Sequence, residues 1–151
     1  MNETLTLKGK YKFTLTDINT GEVQVFEYDN IITSVGKAMI ANNLTDATPE
    51  NSMLLNKAAL GSGTSTPVIG DYQLQTETYR NNIASKSNTS NFAYATAYFN
   101  ATETSGTYRE AGLFSNGTAT ANSGVLFSRV AINVTKTTSQ TLTMDWTMTI
   151  I

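Results

Sequence analysis

Four charged side chains stand out in a chain that has few of them: Glu77, Arg80, Arg109 and Glu110. All four sit in segments otherwise built of apolar and hydroxyl residues. Two carboxylates at a fixed separation can divide general acid and general base between them, as in glycoside hydrolysis, which makes Glu77 and Glu110 a candidate hydrolase pair. The competing reading is structural. An arginine's planar fork matches a carboxylate, and Arg80 or Arg109 would then form an ion pair with Glu77 or Glu110 at a sheet edge or between subunits. The structural reading is preferred, because the chain offers little else for catalysis. It has no His and no Cys, which removes the usual general base, the thiol nucleophile and the commonest transition-metal ligands.

Three further patterns carry less. Asp17-Ile18-Asn19-Thr20-Gly21 opens like a calcium loop, but Gly21 and Tyr28 stand where further carboxylates are needed, so a hairpin turn is expected. Gly61-Ser62-Gly63-Thr64 has neither the Lys nor the following helix of a phosphate loop and reads as a flexible, linker-like turn. Tyr72, Tyr79, Tyr94, Tyr98 and Tyr108 are as suited to core and interface packing as to stacking on a sugar. Of these, Tyr94, Tyr98 and Tyr108 form the candidate glycan-stacking surface, with the loops at 61–71 and 115–124 as alternatives. No catalytic residue, cofactor or metal is expected.

The composition narrows the partners. Ten basic and twelve acidic residues leave a net charge of −2, and charged residues are only 15% of the 151. No basic surplus exists to release phosphate counterions, so neither nucleic acid nor an anionic membrane is an expected partner. Thr replaces the missing charge, at about one residue in six. The N-terminus lacks the basic and apolar regions of a secretory signal, and no apolar stretch approaches the ~18 residues of a membrane span.

The elements that must position these residues are mostly strands. Thr4 to Thr16 alternates strictly, with Leu5, Leu7, Tyr11, Phe13 and Leu15 on one face and Thr6, Lys8, Lys10, Lys12 and Thr14 on the other. Glu22 to Tyr28 returns from the turn. Ile32, Val35, Met39, Ile40 and Leu44 recur at helical spacing behind a Thr33 or Ser34 cap, which predicts one short helix around residues 33–44. Met53 to Leu60, Arg80 to Lys86, Phe92 to Phe99, Tyr108 to Phe114, Val125 to Ile132 and Thr141 to Ile151 read as strands. Asp71 to Glu77 reads as a short helical turn. Phe92 to Phe99 is apolar on both faces, which predicts cover on both sides. About eight short strands with one helix predict a single mainly-β domain over 1–151, an antiparallel β-sandwich of jelly-roll or Greek-key type.

Four blocks of residues, in order, are similar to those of small accessory structural proteins of tailed bacteriophages, of tail, tail-fibre or head-decoration type. The first runs from Gly9-Lys10-Tyr11 through Asp17-Ile18-Asn19-Thr20-Gly21-Glu22 to Tyr28-Asp29-Asn30-Ile31-Ile32. The second is Ala59-Leu60-Gly61-Ser62-Gly63-Thr64-Ser65-Thr66-Pro67. The third is Gly106-Thr107-Tyr108-Arg109-Glu110-Ala111-Gly112-Leu113-Phe114. The fourth is Leu126-Phe127-Ser128-Arg129, leading to Thr135-Lys136-Thr137 and Leu142-Thr143-Met144-Asp145-Trp146. The resemblance implies a non-enzymatic virion component of head, neck or tail. The expectation is that it assembles in the host cytoplasm with other virion proteins and with copies of itself, as a trimer or as copies bound to a symmetric shell or tail. A host-glycan-binding module of a phage tail is the alternative.

Overall fold

The computed structural model describes residues 1–151 as eight strands and one helix. In chain order these are β1 (Leu7–Asp17), β2 (Val23–Ile32), α1 (Ser34–Thr45), β3 (Leu55–Gly61), β4 (Glu77–Thr89), β5 (Phe92–Phe99), β6 (Gly106–Ser115), β7 (Val125–Lys136) and β8 (Gln140–Ile150). The strands close into a barrel in the order β1-β2-β7-β6-β3-β4-β5-β8, every neighbouring pair antiparallel. The expected open sandwich is therefore corrected to a closed barrel. Inward alternation looks the same in both architectures, and what decides is pairing between strands distant in sequence. β1 and β8 run side by side from Leu7↔Ile150 to Asp17↔Gln140. On the other side Ile31↔Arg129 and Ile32↔Ser128 join β2 to β7. β4 serves two neighbours, β3 along its first half and β5 along its second, with a bulge between Ile83 and Ser85 just past the handover.

The alternation of the first and last strands holds within the barrel, except that Leu5, expected inward, lies before β1 and is exposed. Tyr11, Phe13 and Leu15 of β1 and Leu142, Met144, Trp146 and Met148 of β8 are buried in one core. The outward rows carry Lys8 and Lys10 beside Thr149 and Thr147, and Lys12 beside Asp145, the reverse of the polarity of a lipid-embedded barrel. No helix is long and apolar enough to cross a membrane. The β1–β2 turn has the expected chemistry: Asn19 and Thr20 donate backbone N–H bonds to the Asp17 carboxylate, and Gly21 adopts φ +73°.

The helix starts where its cap predicts. Thr33 Oγ1 accepts the Gly36 N–H at 3.0 Å and donates to the Leu126 carbonyl at 2.5 Å, tying the helix start to β7. Only Gly36 and Met39 of the helix are buried, so the apolar stripe read from sequence is wider than the face that packs. Residues 71–76 form an irregular loop, not the helical turn expected there. β5 is covered on one face only: Ala95, Ala97 and Phe99 point inward, while Phe92, Tyr94 and Tyr98 are exposed.

The two ends of the barrel differ. At one, Lys136 is buried at the end of β7, and its Nζ donates to the carbonyls of Ala101, Thr104 and Thr137. The loop after β5 thus closes that end. Burial holds the Lys136 ammonium below the ordinary lysine value of 10.5. The unfolded chain then keeps this proton to higher pH than the folded one, so the Lys136 contribution to stability rises as pH climbs through the depressed value toward 10.5. Thermal unfolding across that window should therefore show a stability difference between the parent protein and Lys136→Met that shifts in the parent's favour as pH rises. Parallel curves would show that no buried charge is being relieved.

Candidate functional site

Three of the four anticipated charges, Glu77 and Arg80 of β4 and Glu110 of β6, lie in ion pairs on the outer wall of the barrel, joined by Arg129 of β7. Gly61 pairs with Glu77 on one side and with Glu110 on the other, so the two carboxylates start from strands separated by one strand, with about 10 Å between their backbones. Each is closed off by its own set of donors.

Glu110 accepts five hydrogen bonds. They come from the backbone N–H groups of Gly63, Gln75 and Thr76 and from Nε and a terminal nitrogen of Arg129, at 2.7–3.1 Å. Arg129 is 2% exposed. Its remaining N–H groups reach Asp71 at 2.6 Å and the carbonyl and hydroxyl of Ser65. The pair at Glu110 is therefore Arg129, not the adjacent Arg109, which lies exposed on β6 with no ion pair. Strict alternation would put Tyr108 and Glu110 on the same face. A register shift between them turns Tyr108 into the core and Glu110 to the outer wall.

Glu77 and Arg80 do pair with one another, as anticipated. The guanidinium grips both carboxylate oxygens, at 2.5 and 2.8 Å, and stacks over the Phe114 ring with 4.6 Å to its centroid. Its other bonds go to the carbonyls of Thr118 and Ser123 and to the Ser123 hydroxyl, while Glu77 also accepts the Asn122 N–H. Asn122 in turn exchanges hydrogen bonds with the backbone of Leu74.

These contacts hold two loops, residues 62–76 and 116–124, against the barrel wall. Beneath them Ala59, Leu74, Phe114 and Leu126 form a second small core. The glycine-rich segment expected to be a flexible turn is a tightly fitted part of this clamp. A Cβ on Gly61 would meet Glu110 Oε1 at 2.6 Å and the Thr76 carbonyl at 2.5 Å, and one on Gly63 would also strike Glu110 Oε1. Chemically, then, both carboxylates are saturated by positional partners, and the cluster orders backbone.

The candidate glycan surface is divided by the structure. Tyr94 and Tyr98 are 37% and 46% exposed on the outer face of β5, whereas Tyr108 is 3% exposed inside the barrel. Phe92 completes the outer row, its ring stacked on Tyr94 with centroids 6.3 Å apart. Across β8 the row faces Thr143, Thr147 and Thr149. Tyr72 is exposed on the clamped loop, and Tyr79 packs edge-on against Phe99. No group of acidic residues is arranged to hold a metal ion.

The end of the barrel opposite Lys136 is open. A cavity of about 810 Å³ lies there between the β4–β5 hairpin, α1 and the segment leading into β3, with Trp146 and Met148 among its lining residues. Sequence reasoning missed Arg129 and this cavity. Arg129 had a signal, a lone charge inside the apolar run Val125–Ile132. The cavity had none. Comparison with protein-family models, with curated proteins and with solved structures finds no match for the chain.

Removing one partner from a buried ion pair leaves the other charge uncompensated, at a cost of about 3–5 kcal/mol. Arg129→Met should lose about that much in denaturant unfolding, whereas Arg109→Met should change stability by no more than about 0.5 kcal/mol. Equal effects at the two positions would contradict the pairing.

Proposed function

We propose that the chain is a non-enzymatic structural subunit of a tailed-bacteriophage particle, assembling with copies of itself as a trimer and with other virion proteins of the head, neck or tail. One observation carries this reading. The blocks at 59–67, 106–114 and 126–129, which bear the resemblance to such proteins, lie far apart in the chain and meet at the Arg129–Glu110 clamp. These three blocks thus contribute residues that stiffen a scaffold and pin its surface loops. Glu77 and Glu110, the pair a hydrolase would need, accept hydrogen bonds from the chain's own donors.

The outer row of Phe92, Tyr94 and Tyr98 beside three threonines supplies a surface for subunit contact that has aromatic area, with its one carboxylate, Asp145, accepting the Thr96 hydroxyl. The same exposure of Tyr94 and Tyr98 favours the second reading, in which this row stacks against a host glycan. Mass spectrometry of purified particles made from the encoding genome should find the chain in stoichiometric amount. Particles lacking it would overturn the assignment. Light scattering of the isolated protein should give a trimer mass that Phe92→Asp with Tyr98→Asp reduces. A glycan array bound by the parent and not by Tyr98→Ala would transfer the row to the second reading.

A further inference from the structure

Two lysines stand on inward-facing rows of the barrel: Lys136, buried at the closed end, and Lys86, exposed at the rim of the open end. Lys136 is enclosed by three carbonyls. Lys86 lies at the open end and makes no hydrogen bond or ion pair within the protein. Its inward direction is a product of the β4 bulge. Ile83 pairs with Ala97 and both face the core; the register then shifts between Ile83 and Ser85, and Lys86 pairs with the inward-facing Ala95. Unbroken alternation would have aimed Lys86 at solvent from the outer wall. Bulges of this kind commonly re-aim a side chain beside a functional site. Asn88, paired with Ala93 one inward position further along, also has an uncommitted side-chain amide.

The cavity these residues border holds about 810 Å³, within the usual range for small-molecule sites, and barrel mouths are a common place for them. Thirteen of its 18 lining residues are hydrophobic, and Lys86 is the one charged residue among them, with no carboxylate to neutralise it. The space exists because β5 lines its inner face with Ala93 and Ala95, too small to reach the opposite wall. Trp146 donates its indole N–H to Asn30 at 3.3 Å, so the polar edge of the ring is already satisfied.

We propose that the open end of the barrel binds a single-chain anionic amphiphile, a fatty carboxylate. Its tail lies against Trp146 and Met148, and its carboxylate meets Lys86 and Asn88 at the rim. One lysine matches one negative charge, and the apolar lining matches a chain without polar branches. The site goes beyond the structural role proposed above and does not depend on it.

Trp146 is the single tryptophan, so its fluorescence reports on this cavity alone. Dodecanoate, titrated below its micelle concentration into the full-length protein, should change the emission saturably with one site per chain. Lys86→Met should weaken dodecanoate about fivefold at low salt, the scale of one exposed ion pair, and leave dodecanol binding unchanged. Ala95→Phe, or Ala93→Leu if the first fails to fold, should abolish the response by filling the space. Absence of a saturable change in the parent would overturn the proposal, as would equal binding of dodecyltrimethylammonium. If dodecanoate is silent and Leu54→Asp dissociates an oligomer seen by light scattering, the mouth is a contact between copies of the chain and the amphiphile is rejected.

Discussion

A guanidinium that is 2% exposed must find its counter-charge and all its hydrogen bonds inside the protein, and much of the outer wall follows from how Arg129 does so. Glu110 supplies the charge from the neighbouring strand, and its remaining lone pairs draw in the backbone of residues 63, 75 and 76. Those bonds pull a long loop flat against the barrel, which lets Leu74 bury against Ala59, Phe114 and Leu126. The carboxylate occupies the space that side chains on residues 61 and 63 would fill, so both are glycines. Arg80 and Glu77 repeat the device for the second loop. β3 and β6 thereby become strands buried on both faces, one face in the barrel core and the other under loops pinned by charge.

The barrel interior follows a different rule, that of filling. Side chains on the inner faces must occupy a cylinder of nearly constant width. Large residues meet at the end near Lys136, where Phe99, Tyr108 and Leu142 crowd together and the lysine reaches the carbonyls of the covering loop. At the other end the inward positions of β5 are alanines, and the helix packs through only Gly36 and Met39. Space remains there, bordered at its rim by the exposed Lys86. Protein interiors otherwise pack to the density of organic crystals, so such a gap is informative.

Period and turn chemistry made much of the fold legible. The alternation of β1 and β8, the Asp17–Gly21 turn and the Thr33 cap depend on residues within a few positions of each other, and each formed as read. The Glu77–Arg80 pair is local too, three residues apart on one strand. Failures began where the period breaks. A register shift separates Tyr108 from the face of Glu110, which moved Tyr108 off the candidate surface and left Arg109 without its expected partner. β5 is apolar on both faces in composition, yet only its alanine face is covered, because nothing in the chain packs over Phe92, Tyr94 and Tyr98.

The sequence by itself determined an antiparallel β domain with one capped helix, an interior free of His and Cys chemistry, and a surface of threonine and sparse charge. These are consequences of composition and of spacings shorter than a strand. Tertiary structure alone decided that the sheet closes, that Arg129 answers Glu110 across 19 residues, and that one end of the barrel stays open. Closure depends on which distant backbone edges meet, and a single extra residue in a strand reverses the direction of every side chain beyond it.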